Sequence, residues 1–186
     1  MRLLDYVIAQ TTEYIAHMPK SQRKKYGQFF TSKETAIFMS GLFQIAPNRT
    51  SLRVLDPGAG SGILSASLLE RIQSFPHITH VDLSCYETDE NVIPLLRANL
   101  DWVCQHVDFD ISYQIISDNY ILSQALEYNG MIGANPFPLK YDWVIGNPPY
   151  MKVSKDAPEA KAMPDVCYGA PNLYFLFASM SLFNLD

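Results

Sequence analysis

The string Asn147-Pro148-Pro149-Tyr150 puts an amide, two residues without backbone donors and an aromatic ring just after the apolar run Asp142 to Ile145 and the Gly146 that breaks it. An asparagine side-chain oxygen and a prolyl carbonyl both accept hydrogen bonds, and an amide is no general base. Together they suit the two hydrogens of a planar amine, such as the exocyclic amino group of adenine, whose lone pair is delocalised into its ring. Acceptors aimed at that nitrogen raise its electron density and stabilise the positive charge that develops as it attacks an electrophile. Tyr150 offers a stacking face worth about 1 to 3 kcal/mol per base, which offsets part of the few kcal/mol needed to extrude a nucleotide from a duplex. The prolines stiffen the loop, so the groups are placed before the substrate arrives. An ordinary turn with a packed tyrosine has the same four letters, and only context separates the two.

That context is a second motif upstream. The stretch "VLDPGAGSG" carries Gly58, Gly60 and Gly62 where an apolar strand gives way to a helical pattern, and "CYETDE" carries Glu87 where the next strand ends. Glycine lets backbone amides come close to a ligand, and an acid at the end of the second strand accepts from ribose hydroxyls in doubly wound folds. A dinucleotide fingerprint has glycines spaced GxGxxG with the acid about 20 residues on. Here Asp56 and Pro57 precede GxGxG and the acid comes later, which is closer to an S-adenosylmethionine pocket. A purely structural turn is the remaining reading.

The elements that must position these groups alternate in type. Apolar residues at helical spacing (Leu4, Val7, Ile8, Ile15) predict a helix over 3–17, and a second is predicted from Lys33 to about Ala46, capped by Thr31 or Ser32. Strands are then predicted at 52–56, 80–87, 111–117 and 142–146, separated by helices at 63–73, 91–104 and about 120–126. Such alternation implies crossover connections and an α/β fold, its mostly parallel sheet covered by helices on both faces. Residues 151–169, polar and proline-containing, read as a mobile active-site loop or an exposed connection.

Composition narrows the class. With 186 residues, 48% apolar and 18% charged, the chain has the size and make-up of one globular domain. Neither a signal peptide nor a membrane anchor is evident, so the expected location is cytoplasmic, with no membrane partner. Cys85, Cys104 and Cys167 form no CxxC pair, so no metal site is expected. A net charge of −5 gives no overall attraction to nucleic acid, although "KSQRKK" (Lys20, Arg23, Lys24, Lys25) is locally basic.

Taken together, the motifs resemble the amino-group DNA methyltransferases that act on adenine, in the arrangement called the gamma group. "KYGQFFT" (Lys25 to Thr31) is similar to that family's upstream motif, "LDPGAGSG" to its first, "CYETDE" to its second, "IGNPPY" to its catalytic one, and "NLYFLF" (Asn172 to Phe177) to the segment that follows. The resemblance implies a Rossmann-like S-adenosylmethionine-dependent methyltransferase fold, with residues 1–32 as an N-terminal helix and cofactor-lining segment and 33–186 as an incomplete catalytic domain.

It also implies roles. Phe29 and Thr31 would bound the methionine end of S-adenosylmethionine; Asp56, Gly58 and Gly60 would line its backbone; Glu87 would hold the ribose and Asp118 the adenine amine. Asn147, Pro148, Pro149 and Tyr150 would be catalytic, while Leu173 and Phe177 would pack in the core. The family often has a phenylalanine after the position of Asp118; Asn119 stands here.

The family's sheet has seven strands followed by a target-recognition domain, so an end at Asp186 implies truncation before the last strands and an exposed edge on the fourth strand. The expected partners are DNA, met mainly through that absent domain, and a restriction nuclease that is fused or separate. The fragment alone is expected to be inactive and to bind DNA weakly or not at all. Protein glutamine and ribosomal RNA guanine methyltransferases share the NPPY string but lack GQFFT, and they stand second. A non-catalytic, cofactor-binding module is the third reading.

Overall fold

In a computed structural model, residues 2–17, 19, 30–135, 138–169 and 171–186 are described. The basic run read at Lys20, Arg23, Lys24 and Lys25 lies outside them, as does Phe29. Four strands, β1 (Ser51–Asp56), β2 (His80–Tyr86), β3 (Asp110–Ile116) and β4 (Trp143–Val144), form one parallel sheet in the order β3-β2-β1-β4. Helices α1 (Leu3–His17), α2 (Lys33–Gly41), α3 (Ile63–Ile72), α4 (Ile93–Cys104), α5 (Ala125–Tyr128), α6 (Pro158–Ala162) and α7 (Leu173–Asn184), with two 3-10 turns at Leu122–Gln124 and Pro164–Val166, complete the described elements.

Both faces of the sheet are covered, and the alternation of side chains along each strand shows how. Val54, Cys85, Ile115 and Ile145 pack in one apolar cluster with α1, α3 and α4, whereas their neighbours Leu55, Tyr86, Ile116 and Val144 pack in a second with Met163, Leu173, Leu176 and Met180. Period-two alternation between two cores is what a strand buried on both sides must show. Each fully buried leucine contributes roughly 1.5 to 3 kcal/mol.

Two elements stop short of the spacing-based expectation. Helix α2 stops at Gly41 rather than near Ala46, and the segment beyond it turns Phe43 and Ile45 back onto the first core. Strand β4 has two residues instead of five, although its ladder is extended by Asp142 N donating to Arg53 O and Ile145 N to Leu55 O, both at 2.9 Å. The Asp142 carboxylate shortens the strand, because its Oδ2 takes the Arg53 N–H at 2.7 Å in place of a backbone carbonyl.

Residues 151–169 are not a bare connection. They contain α6, with Ala160 and Met163 buried, and are clipped to the body by Asn119 Nδ2 donating to Glu159 Oε1 at 2.8 Å and by Tyr128 Oη donating to Asp165 Oδ2 at 2.7 Å. The polar letters hid two apolar anchors. Nor is the outer edge of β4 fully exposed: Tyr141 N donates to Asn184 O at 2.9 Å and Asp186 N to Tyr141 O at 3.0 Å, a parallel bridge. Helix α7 causes this, because it returns the chain to the start of β4.

Candidate functional site

The strand order decides where a ligand can sit. From β1 the chain moves outward to β2 and β3, then jumps to the other side of β1 for β4. Connections therefore diverge between β1 and β4, and the carboxyl ends flanking such a switch point leave a crevice in open α/β sheets. The registers place Asp56 beside Cys85 and Leu55 beside Val144, so the glycine turn after β1, Glu87 after β2 and Asn147 after β4 all emerge at this one edge. Gly146 passes close to the turn: a Cβ there would stand 3.0 Å from Pro57 Cδ and Cγ.

The glycine turn is held from several directions. Gly60 and Gly62 have φ of +54° and +87°, the left-handed region that an L side chain enters only with strain. Ala59 N donates to Tyr86 O at 2.9 Å, and Asn99 Nδ2 donates to Ser61 O at 2.8 Å. Thr11 Oγ1 on α1 lies 2.7 Å from Val7 O and 2.8 Å from Ser61 Oγ, either of which its hydroxyl can donate to. Asp56 is completely buried beneath the turn, where its Oδ2 accepts from Ser65 Oγ at 2.7 Å. Burial pushes this carboxyl up to about 7, with Ser65 and the Gly58 amide opposing the shift. Any part of Asp56 in ligand binding therefore passes through the turn it supports.

Glu87 joins the turn to β2. Its Oε2 accepts from Gly60 N at 2.9 Å and its Oε1 from Asp89 N at 2.8 Å. Burial raises its pKa, and the Asp89 and Gly60 amides pull the other way. A carboxylate has about four acceptor sites, so each oxygen retains capacity for a ribose hydroxyl. Asp118 is exposed just past the end of β3 at the same edge. Asn119, where the family often has an aromatic ring, instead accepts from Ile121 N and Leu122 N at 3.1 Å while binding Glu159.

On the other side of the switch point, Asn147 Nδ2 donates to Thr31 Oγ1 at 3.2 Å. Of the two cap candidates, Ser32 caps α2 by accepting from Thr35 N at 3.2 Å, and that leaves the Thr31 hydroxyl to Asn147. Among the described residues nothing donates to Asn147 Oδ1 or to the Pro148 carbonyl. Pro148 is buried and Pro149 exposed, and Tyr150 is 74% exposed. An apolar hollow of about 270 Å³ lined by Met39, Leu42, Phe43, Val144, Ile145 and Gly146 lies beside this site, between α2 and β4. It has no charged side chain in its lining, and Asn147 stands one residue further on.

Three ring contacts were not evident in the letters. Phe30 packs on the turn, 3.6 Å from where a Gly60 Cβ would stand, and Phe177 stands 3.8 Å from the same point at Gly58. Phe177 is thus half-buried against the turn rather than only in the core, where Leu173 does lie. Tyr174 stacks on Tyr150. A helical count along "NLYFLF" separates Leu173 and Phe177, four apart, from Tyr174, but it cannot say what either side faces.

The donor set fits S-adenosylmethionine. An acid with spare acceptor sites, a glycine turn open to a ligand backbone and aromatic walls are present, while the turn brings no cation to neutralise a pyrophosphate. Among the described residues no cluster of His, Cys, Asp or Glu could hold a metal ion, and no helix is long and apolar enough to cross a membrane.

Comparison with known proteins finds relatives among the type II methyltransferases. The type II methyltransferase M.BsuBI of Bacillus subtilis is 30% identical over 163 residues, covering 86% of this chain and 31% of that protein. M.PstI of Providencia stuartii is 28% identical over 169 residues, 89% of this chain and 32% of its own length. The chain thus spans about a third of the length of these curated relatives.

In structure it resembles a protein from Listeria monocytogenes described as a class I S-adenosylmethionine-dependent methyltransferase, with a TM-score of 0.61 and 16% identity, covering 92% of this chain and 46% of that one. It also resembles the methyltransferase subunit of a type I restriction-modification system from Streptococcus thermophilus, with a TM-score of 0.58 and 19% identity over 85% of this chain and 32% of that one. At such identities these two establish the fold, a Rossmann-like α/β sheet shared with S-adenosylmethionine-dependent methyltransferases. Residues 71–185, from the end of α3 through the Asn147 to Tyr150 string to α7, match the Eco57I restriction-modification methylase, and the chain belongs to that family.

Proposed function

We propose that the protein carrying this chain methylates the exocyclic amine of adenine in DNA, with the target base extruded from the duplex, as the modification activity of a restriction-modification system. The observation that carries this reading is the pairing of Asn147 with Thr31 across the switch point from the glycine turn, which leaves an amide oxygen and a prolyl carbonyl as adjacent acceptors.

When bound, S-adenosylmethionine supplies an electrophilic methyl group on a sulfonium. Glu87 would accept from the ribose hydroxyls, and the Gly58 to Gly60 turn, with Phe30 and Phe177 against it, would line the ligand's backbone. Asp118 would accept from the adenine amine of the cofactor, while Thr31 would bound its methionine end. At the substrate, Asn147 Oδ1 and the Pro148 carbonyl accept hydrogen bonds from the two amine hydrogens and stabilise the charge that develops on nitrogen as it takes the methyl from sulfur, a charge removed when one N–H proton departs to solvent. Pro149 limits the motion of the loop and Tyr150 stacks on the base.

Base-edge reading and most phosphate contact would fall to the part of the relatives' length that this chain does not span, since a net charge of −5 gives this chain no overall attraction to nucleic acid. A nuclease, fused or separate, would be the other half of the system, and the site of action would be the cytoplasm.

The test is transfer of labelled methyl from S-adenosylmethionine to DNA lacking adenine methylation, by the full-length protein, with the product identified after digestion to nucleosides. N6-methyladenine made by the wild type and lost in Asn147→Ala supports the proposal. Label in cytosine, in protein or nowhere would refute it.

A further inference from the structure

The ring of Tyr150 does not project alone. Its centroid lies 5.1 Å from that of Tyr174, with only 15° between the planes, and Tyr174 meets Phe175 edge-on at 5.7 Å and 79°. The backbone brings the first two rings together. Leu173 N donates to Met151 O at 2.9 Å and Val153 N to Pro171 O at 3.0 Å, which ties the segment after Tyr150 to the start of α7. Asn172 Oδ1 accepts from Tyr174 N at 3.0 Å and fixes the first turn of that helix.

Tyr150 is nonetheless 74% exposed, with Phe175 at 63% and Met151 at 54%. One face of Tyr150 is covered by Tyr174 and the other is open to solvent. The spacing of the pair leaves no slot for a third ring between them, so a planar ligand must use the open face. Offset stacking within the pair is favourable by itself, and it restricts the rotamers of a ring that follows two prolines and belongs to no helix or strand.

We propose that Tyr174 is a positioning residue for methyl transfer: it backs the ring of Tyr150, so that the opposite face is already presented to the extruded base. This rests on the function proposed above. A backing ring removes part of the ordering cost otherwise met when the base stacks. The requirement is for a ring, since the contact is face to face and the hydroxyl takes no part in it.

The experiment uses the full-length protein, labelled S-adenosylmethionine and DNA lacking adenine methylation, with wild type, Tyr174→Phe, Tyr174→Leu, Tyr150→Leu and the double Leu variant. Tyr174→Leu should lower kcat/KM about three- to tenfold, the range expected for an aromatic pair, with S-adenosylmethionine affinity unchanged. Tyr174→Phe should restore wild-type activity. On the Tyr150→Leu background, Tyr174→Leu should cost nothing further, because the ring it backs is gone.

Full activity in Tyr174→Leu, an equal loss in Tyr174→Phe, or losses that simply add in the double variant would overturn the inference. So would a Tyr174→Leu protein that no longer binds S-adenosylmethionine, which would assign the ring to the fold. A wild type that moves no methyl into DNA would defeat the proposed function and this inference together. An active wild type indifferent to Tyr174 would defeat the inference alone.

Discussion

Asn147 Nδ2 donates to Thr31 Oγ1 across 116 positions of sequence, joining the loop after β4 to the segment before α2. The bond sets which end of the amide is left for a substrate. In the full-length protein Thr31→Val should therefore reduce kcat roughly fivefold, about 1 kcal/mol for one hydrogen bond, and by more than it weakens S-adenosylmethionine binding. Thr31→Ser should recover most of the loss. Single-turnover methyl transfer together with cofactor titration checks both.

Glu87 carries two loads: it holds the amides of Gly60 and Asp89, and in the proposed role it meets the ribose. Glu87→Gln keeps one acceptor oxygen but loses the charge. Its affinity for S-adenosylmethionine should fall at least about tenfold, consistent with the 1.5 to 3 kcal/mol of a charge-assisted hydrogen bond. Isothermal titration would measure it, and an unchanged affinity would remove Glu87 from the ribose site.

Asp56 gives a pH signature. Its folded pKa, about 7, lies above the ordinary 3.8 because burial disfavours the charge. Below the unfolded value both states hold the proton and nothing is lost. As pH rises from about 4 to about 7 the unfolded chain releases its proton first, so folding loses stability, and above 7 the loss levels off. Asp56→Asn cannot ionise. Thermal midpoints of the two proteins between pH 4 and 8 should diverge along this slope, whatever constant offset the amide introduces.

At Gly146, two residues past β4, the backbone passes close to the start of the glycine turn. A Cβ would meet Pro57 at 3.0 Å, a ring with little freedom to move away. Gly146→Ala should cost about 1 to 3 kcal/mol of stability by overpacking, seen as a lower unfolding midpoint. It should also reduce methyl transfer, because Asn147 is the next residue.

The 186-residue chain by itself should bind duplex DNA weakly and transfer no methyl to it. Its net charge of −5 opposes the phosphate contacts that dominate such affinity. Fluorescence anisotropy at low salt would reveal any salt-dependent, submicromolar binding, which would contradict the expectation.

Much of this site was legible in one dimension. GxGxG after an apolar run, an acid closing the next strand, and an amide with two prolines and a ring closing the last are each tied to a local requirement. Glycine alone takes φ of +54° and +87° without strain, a buried strand needs a continuous apolar run, and a prolyl carbonyl next to an amide accepts hydrogen bonds wherever it is placed. The two short strand residues of β4 and the anchored segment around Met163 were not legible, because an aspartate capturing a ladder amide and a methionine filling a distant core depend on partners far along the chain.

By itself, then, the sequence determined the α/β alternation, the glycine turn and the chemical character of each strand end, since those follow from residue type and near neighbours. Tertiary structure alone decided that β4 lies against β1 rather than β3, that Thr31 rather than Ser32 reaches Asn147, and that Tyr174 backs Tyr150. The reason is physical: strand order and the packing of α7 set which distant side chains meet, and no local preference encodes a partner more than a few turns away.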